Sequence, residues 1–572
     1  MEYSAIFHDM DKRFCYAIDK DLFVIRVQVK KDDIKEIILH YEDKYIPLEW
    51  KDTRKTIPMK KVATSQFHDY YEAQLQMHLI CLRYYFEFTD MQGEKVYYGN
   101  YEFSRECITN RDRMFDCPQN LREEEMFEVP EWAANKVVYQ IFPSRFAATE
   151  PVDKELWYKA PITPMDDLHG NLRGIIEHMD DIQNLGIDVL YMTPIFQSNS
   201  CHKYDTTDYY QIDPSFGTTE DLKELVQKAH ERGMKVVLDA VYNHTGREFF
   251  AFADILENGE KSKYRDWYFI DGFPLKSEWG EIPNFKCFGY YGGMPKLNLK
   301  NPEVEKYITD VACYWIKECD IDGWRLDVGD EISHFFWKNF RKAVKAVKKD
   351  MLIIGEIWHY AGDFLEGDEW DTVMNYPFYL NLIDLLADEK ITVSQFVQNL
   401  GYLKGRLHKN CYPLMWNLID SHDTARFLHL CNDNKKKQHL AAAFQLLLPG
   451  MPMIYYGDEY AMPGANDPDC RRGMYWDEEY QDKEMYEWYK RLIQVRKSHA
   501  CIVEGELAGS VTEDEEGTVV LIRKNGEETI AMIFNCSSSA KKFNEYTQKY
   551  NLLTENTFDG NVEGFDAAVI VL

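Results

Sequence analysis

At 572 residues the chain is too long for one ordinary domain, and its length points to three or four. A formal charge of −30 and a pI near 5.0 argue against nucleic acid or an anionic membrane as partner, and suit a neutral substrate. The charged and hydrophobic fractions, 28% and 45%, are those of a globular protein. No run reaches the roughly 18 apolar residues of a membrane span. The nearest, A-A-A-F-Q-L-L-L-P-G-M-P-M-I-Y-Y, is broken by Gln445, Pro449 and Pro452. The first ten residues lack a basic region leading into an apolar stretch, so no signal peptide is expected. Thirteen cysteines, an odd number without a CxxC pair, fit thiols in a reducing cytoplasm better than a disulfide framework.

In chain order, residues 1–120 hold alternating runs rich in β-branched and aromatic residues, such as F-V-I-R-V-Q-V and I-C-L-R-Y-Y-F-E-F-T-D. Turn residues separate them, and an N-terminal β-sandwich is expected. The stretch from Cys117 to Trp132, with Pro118, Glu123-Glu124-Glu125 and Pro130, reads as a linker whose charges are solvated. From residue 131 to 498 the pattern changes to strand, helix, strand. Eight apolar runs, from V-V-Y-Q-I-F-P to P-M-I-Y-Y-G-D-E, alternate with amphipathic stretches such as D-L-K-E-L-V-Q-K-A-H. This α/β pattern predicts a (β/α)8 TIM barrel. The aromatic, glycine-bearing interval 245–300 reads as a subdomain inserted over the barrel mouth. Residues 500–572 return to alternation and predict a C-terminal β-sandwich.

Four blocks within the barrel each run from apolar residues into a carboxylate. They are V-V-L-D-A-V-Y-N-H (Asp239, His244), G-W-R-L-D (Arg325, Asp327), I-I-G-E-I-W-H (Glu356, Trp358) and L-I-D-S-H-D (His422, Asp423). A polar residue just past a barrel strand sits on the face where such barrels keep their active sites. An acid at a strand end can be only the N-cap of the next helix, but four in order argue for a carboxylate-lined cleft. Cleaving an acetal between sugars needs one carboxyl to attack or stabilise the anomeric carbon and another to protonate the leaving oxygen. General acid–base help supplies about 10² to 10⁴ in rate. The remainder must come from electrostatic stabilisation, which gives a third carboxylate a purpose. Arg325 shares a strand face with Asp327 and would hold it ionised.

With these blocks the chain resembles the α-amylase superfamily of retaining glycoside hydrolases. D-A-V-Y-N-H, G-W-R-L-D-V-G-D-E, G-E-I-W-H and D-S-H-D correspond to its four main sequence regions. The resemblance implies Asp327 as nucleophile, Glu356 as acid/base and Asp423 as transition-state stabiliser, with His244, Arg325 and His422 beside them. It further implies sugar contacts at His202 and Tyr204 next to the cleavage point. Glu331 and Trp358 would line the acceptor side, and Asp467 and Arg471 the donor side. M-P-K-L-N, Met294 to Asn298, is similar to the motif of the neopullulanase, cyclomaltodextrinase and maltogenic amylase group. The N-terminal domain looks like that group's starch-binding module. The implied substrates are cyclodextrins, pullulan or starch oligosaccharides, cleaved at α-1,4 bonds with some transglycosylation, by a homodimer in which one N-terminal module covers its partner's barrel mouth. An exo-acting α-glucosidase, a dedicated transglycosidase and a non-catalytic glycan-binding protein are the alternatives. M-P-K-L-N and the three acids weigh against them. After the first strand F-A-A-T-E-P-V-D-K-E-L lacks the Asn/Asp-rich loop that binds calcium in several relatives. No metal and no cofactor are therefore expected.

Overall fold

The computed structural model describes residues 1–572 except 20, 48–53, 77–80, 101, 119–125 and 277–281. The acidic run read as a solvated linker, Glu123 to Glu125, lies outside the described residues. The chain forms two compact units.

The first unit is built on a sandwich of two antiparallel sheets. One has the order Cys15–Ala17, Leu22–Lys30, His68–Gln76, Lys60–Thr64. The other runs Lys55–Pro58, Ile34–Asp43, Cys81–Asp90, Lys95–Gly99, Glu102–Ser104, with Phe115–Pro118 pairing with Cys81–Tyr84, the part of that central strand that Lys95–Gly99 leaves open. Phe23, Ile25, Val27 and Val29 alternate along Leu22–Lys30 and meet Leu39, Phe86 and Phe88 in the shared core. Alternation alone would leave the other face of that strand in water, yet Val24 and Arg26 are buried as well. For Arg26 the cover comes from far along the chain. Residues 361–371 and 391–412, which the sequence pattern places inside 131–498, pack into this unit. The helix Val393–Arg406 lies so close that a Cβ at Gly401 would overlap the Thr64 carbonyl, and one at Gly405 the Tyr70 ring. Arg26 reaches the Leu407 carbonyl at 2.8 Å and pairs with Glu72, which satisfies an otherwise costly buried charge.

The second unit contains the barrel. Its strands are β1 (Val138–Ile141), β2 (Val189–Met192), β3 (Lys235–Ala240), β4 (Gly323–Leu326), β5 (Leu352–Gly355), β6 (Thr372–Val373), β7 (Trp416–Asn417) and β8 (Met451–Tyr455). They are parallel in the order β6-β5-β4-β3-β2-β1-β8-β7, and a parallel bridge between Met374 and Trp416 links the two ends of that series. All eight expected strands are present, although β6 and β7 shrink to two residues each. The interval after β3 is a subdomain held by isolated bridges, among them His244 to Lys296 and Tyr268 to Leu297. Last comes a six-stranded antiparallel sheet from Glu506 to Val571 with a small ribbon beside it. Phe534 of that sheet stacks at 4.2 Å on Phe444 of the barrel helix Lys435–Leu447. Among the described residues no helix is long and apolar enough to cross a membrane.

Candidate active site

The short apolar strands end abruptly at acids, because a carboxylate can leave the barrel core only where the mouth opens. Asp239 is the penultimate residue of β3, Asp327 directly follows β4, Glu356 directly follows β5, and Asp423 lies in the loop after β7. All four converge on the guanidinium of Arg325, which is fully buried on β4. Its Nη1 lies 3.0 Å from an oxygen of Asp327 and 3.0 Å from both oxygens of Asp239. Its Nη2 lies 2.9 Å from Glu356 and 3.8 Å from Asp423. One cation thus gathers the three acids read as catalytic together with a fourth.

Each acid has further partners. Glu356 accepts from the Val328 N–H at 2.9 Å and from Trp358 Nε1 at 3.2 Å. Val328 sits at φ 47°, a left-handed conformation that a β-branched residue rarely adopts, and this aims its N–H at the carboxylate. Asp239 accepts from the hydroxyls of Tyr191 at 2.7 Å and Tyr204 at 3.0 Å. Asp423 lies 3.1 Å from His422 Nε2 and 3.4 Å from Arg471 Nη2.

Burial dominates the electrostatics. It pushes the Asp239 carboxyl up to about 6, against the pull of Arg325. Asp327 is also raised well above the usual carboxylate range, by burial and the neighbouring acids, with Arg325 working the other way. The histidines move down. Burial and the Lys296 charge bring His244 to about 3, burial and Arg471 hold His422 well below the usual histidine range, and burial lowers His202. These rings stay neutral at neutral pH, and those of His202 and His422 serve as hydrogen-bonding groups.

The remaining sequence-derived residues fall around this cluster. His422 accepts or donates at both nitrogens, to Gln140 at 2.7 Å and to the Tyr204 hydroxyl, and its ring stacks parallel to Tyr204. His202 receives the Tyr204 N–H at 3.1 Å. His244 lies flat against Phe288, with centroids 5.1 Å apart. Trp358, 42% exposed, stacks on Tyr376 at 4.0 Å and offers a flat wall beside Glu356. Asp467 and Arg471 pair at 2.8 Å, and Arg471 also donates to the His422 carbonyl at 2.8 Å. Glu331 does not join the Arg325 cluster; it accepts from Asn243 at 3.1 Å and pairs with Lys296 at 3.3 Å.

Asp239, Tyr191, Gln140, Tyr376 and Lys296 also lie among these residues, although the family resemblance assigns none of them a role. Asp239 had a signal, since it is the acid of the first block. Lys296 lies within M-P-K-L-N, and its ammonium is held by Asn243 and by the carbonyl and carboxylate of Glu331. Tyr191 and Gln140 carried none, because only barrel closure sets them beside residues from other strands. Among the described residues no group of three or more His, Cys, Asp or Glu side chains is disposed to hold a metal ion.

Residues 140–480 match the family model described as "Alpha amylase, catalytic domain", and residues 1–119 match "Alpha amylase, N-terminal ig-like domain". The chain belongs to the alpha-amylase family. This alpha-amylase family member is 43% identical over 547 residues to a cyclomaltodextrinase of Geobacillus thermopakistaniensis, covering 94% of this chain and 92% of the relative. It is 40% identical to neopullulanase 2 of Thermoactinomyces vulgaris, covering 93% and 90% of the two chains. With an intracellular maltogenic amylase of Bacillus subtilis the identity is 38%, over 94% and 91%. A solved cyclomaltodextrinase structure superposes with a TM-score of 0.94 at 36% identity, over the whole of both chains. The protein is a glycoside hydrolase.

Proposed function

We propose that this enzyme hydrolyses α-1,4-glucosidic bonds in cyclodextrins, pullulan and starch oligosaccharides by double displacement, with some transfer to sugar acceptors. The arrangement around Arg325 supports this most directly, since its two terminal nitrogens touch Asp327 at 3.0 Å and Glu356 at 2.9 Å. In the first step an Asp327 oxygen bonds to the anomeric carbon while Glu356 gives its proton to the departing glycosidic oxygen. In the second, Glu356 takes a proton from water, whose oxygen attacks the same carbon and releases Asp327. Negative charge therefore passes from Asp327 to Glu356 and back, between the two arms of one rigid guanidinium. Arg325 faces the charge in either position, so the step needs little reorganisation of the surroundings. Asp423 supplies negative potential opposite the cationic transition state. His202, Tyr204, His244 and His422 hold the donor sugar beside Asp327, with Asp467 and Arg471 further along the donor side. Trp358 and Glu331 line the acceptor side, where an incoming sugar hydroxyl can replace water.

Retention is the test. Proton NMR during the first turnovers of β-cyclodextrin should show new reducing ends as the α-anomer, with the β-anomer growing only by mutarotation. Initial formation of the β-anomer would refute the double displacement. Product profiles on β-cyclodextrin, pullulan and soluble starch, run side by side, then rank the substrates.

The same reading includes a homodimer in which the N-terminal module narrows the substrate site of its partner, and a cytoplasmic location. The match to the N-terminal family model and the intracellular maltogenic amylases among the relatives support it. Light scattering should give twice the chain mass, and deleting residues 1–125 should reduce it to the mass of one chain. The deletion should also shift the activity ratio from cyclodextrin toward starch. A truncated protein that stays dimeric with an unchanged ratio would reduce the module to an accessory domain.

A further inference from the structure

Behind the donor side lies a second buried charged cluster that takes no part in the chemistry above. At its centre is Arg426, fully buried, three residues beyond Asp423. Its guanidinium spends its donors on three separate places. Nε donates to the Cys470 carbonyl at 3.1 Å, Nη1 to the Asp458 carboxylate at 3.0 Å, and Nη2 to the Tyr456 carbonyl at 2.8 Å. Its own backbone N–H reaches the Gly464 carbonyl at 3.0 Å. The guanidinium also lies 4.2 Å from the centre of the Tyr455 ring, whose hydroxyl shares the Cys470 carbonyl at 3.3 Å.

These bonds join two loops. The loop after β7 leaves at Asp420, carries His422 and Asp423, and is closed by Asp420 accepting the Phe427 N–H at 2.7 Å. The loop after β8 carries Asp467, Cys470 and Arg471. Arg426 belongs to the first loop and holds the second by Gly464 and Cys470. The second loop returns the contact, since Cys470 Sγ at 3.3 Å and Arg471 Nε at 2.8 Å both donate to the His422 carbonyl. A closed ring of bonds therefore runs from Arg426 through Cys470 and Arg471 to His422 and back along the chain. Asp423 and Arg471, which touch at 3.4 Å, are both fixed by it.

We propose that Arg426 is a positioning residue that sets Asp423 and the Asp467–Arg471 pair at one spacing and thereby shapes the donor side of the cleft. The inference rests on the reading in which Asp423 stabilises the transition state and Asp467 with Arg471 grips the donor sugar. Arginine is specific here. Its planar fork serves a carboxylate and two carbonyls in fixed directions, which the single ammonium of lysine cannot do.

The test uses the full chain with Arg426→Met and Arg426→Lys, assayed on 4-nitrophenyl α-maltosides of increasing length. These share one leaving group, so differences among them report the donor side. Arg426→Met should lower kcat at least 30-fold and weaken acarbose binding at least 10-fold, with Arg426→Lys intermediate. Arg496→Lys is the control for stability alone. Arg496 is equally buried and donates to the carbonyls of Leu446, Leu448 and Gly450, so its loss should lower Tm and leave kcat at 25 °C unchanged. Adding Arg426→Met to Asp467→Ala should cost much less than the separate losses predict, because both act on the same loop. If the Arg426 variants fail to fold, Tyr455→Phe, which frees the Cys470 carbonyl of one donor, should show a 3- to 10-fold loss of the same kind. Folded Arg426→Met within 3-fold of the parent, strictly additive losses with Asp467→Ala, or a neutral Tyr455→Phe would each overturn the proposal. Failure of the site reading looks different: Asp423→Asn would then keep full activity.

Discussion

Asp327→Asn is expected to reduce kcat by at least 10⁴-fold, about 5.5 kcal/mol of barrier, while the protein folds and binds substrate. The amide keeps the shape of the carboxylate but cannot form the covalent bond to the anomeric carbon. Asp327 lies 3.0 Å from the Nη1 of Arg325, and burial together with the charges of Glu356, Asp239 and Asp423 already raises its carboxyl. Replacing it with a neutral group therefore relieves like-charge repulsion, and Tm should hold or rise. Glu356→Gln should behave differently. Its proton is needed only where the leaving group is poor, so hydrolysis of maltosides should fall about 10² to 10⁴-fold. An α-glycosyl fluoride, whose leaving group needs no proton, should recover most of the first step and leave the second, water-activating step limiting. The two roles would be reversed if the fluoride rescued Asp327→Asn and not Glu356→Gln.

How much of this was legible in the sequence follows from where each contact comes from. The acids at Asp327 and Glu356 were legible because a strand buried on both faces must be apolar to its end, so the first polar residue marks the mouth of the barrel. Asp423 was legible by its motif more than by its strand, since β7 keeps only Trp416 and Asn417 in the sheet. The importance of Asp239 was harder to see. It depends on Arg325 and on the hydroxyls of Tyr191 and Tyr204, and no local pattern joins these four positions. The N-terminal sandwich was legible from alternation, but the cover over Arg26 was not, because it comes from the helix Val393–Arg406 and the Leu407 that follows it, more than 350 residues downstream. Gly401 and Gly405, one helical turn apart, were its only local sign, and a glycine within a helix marks a kink as readily as a close approach.

Arg325→Met is expected to be the most damaging single change in the protein. The methionine fits the stem of the side chain but leaves Asp239, Asp327, Glu356 and Asp423 without the cation they share. Removing one partner of a buried ion pair typically costs about 3–5 kcal/mol, because the remaining charge is stranded. The stranded acids should respond by taking up protons. Burial already pushes Asp239 up to about 6, above its value in an unfolded chain, and without Arg325 it and Asp327 should move higher. The sign of the pH effect follows from this. A folded-state carboxyl raised above its unfolded value contributes stability at low pH and loses it as pH climbs through the folded value. Tm of Arg325→Met should therefore fall more steeply than that of the parent between pH 5 and 8. Activity should move the other way, since Asp327 must be ionised to attack. At pH 7 kcat/KM should drop at least 10³-fold, with the residual activity rising toward alkaline pH until the fold is lost. Arg325→Lys keeps the charge but not the two-armed contact, so it should restore Tm more fully than kcat. A parent-like pH–rate profile in Arg325→Met would mean that the cluster does not govern the ionisation of Asp327.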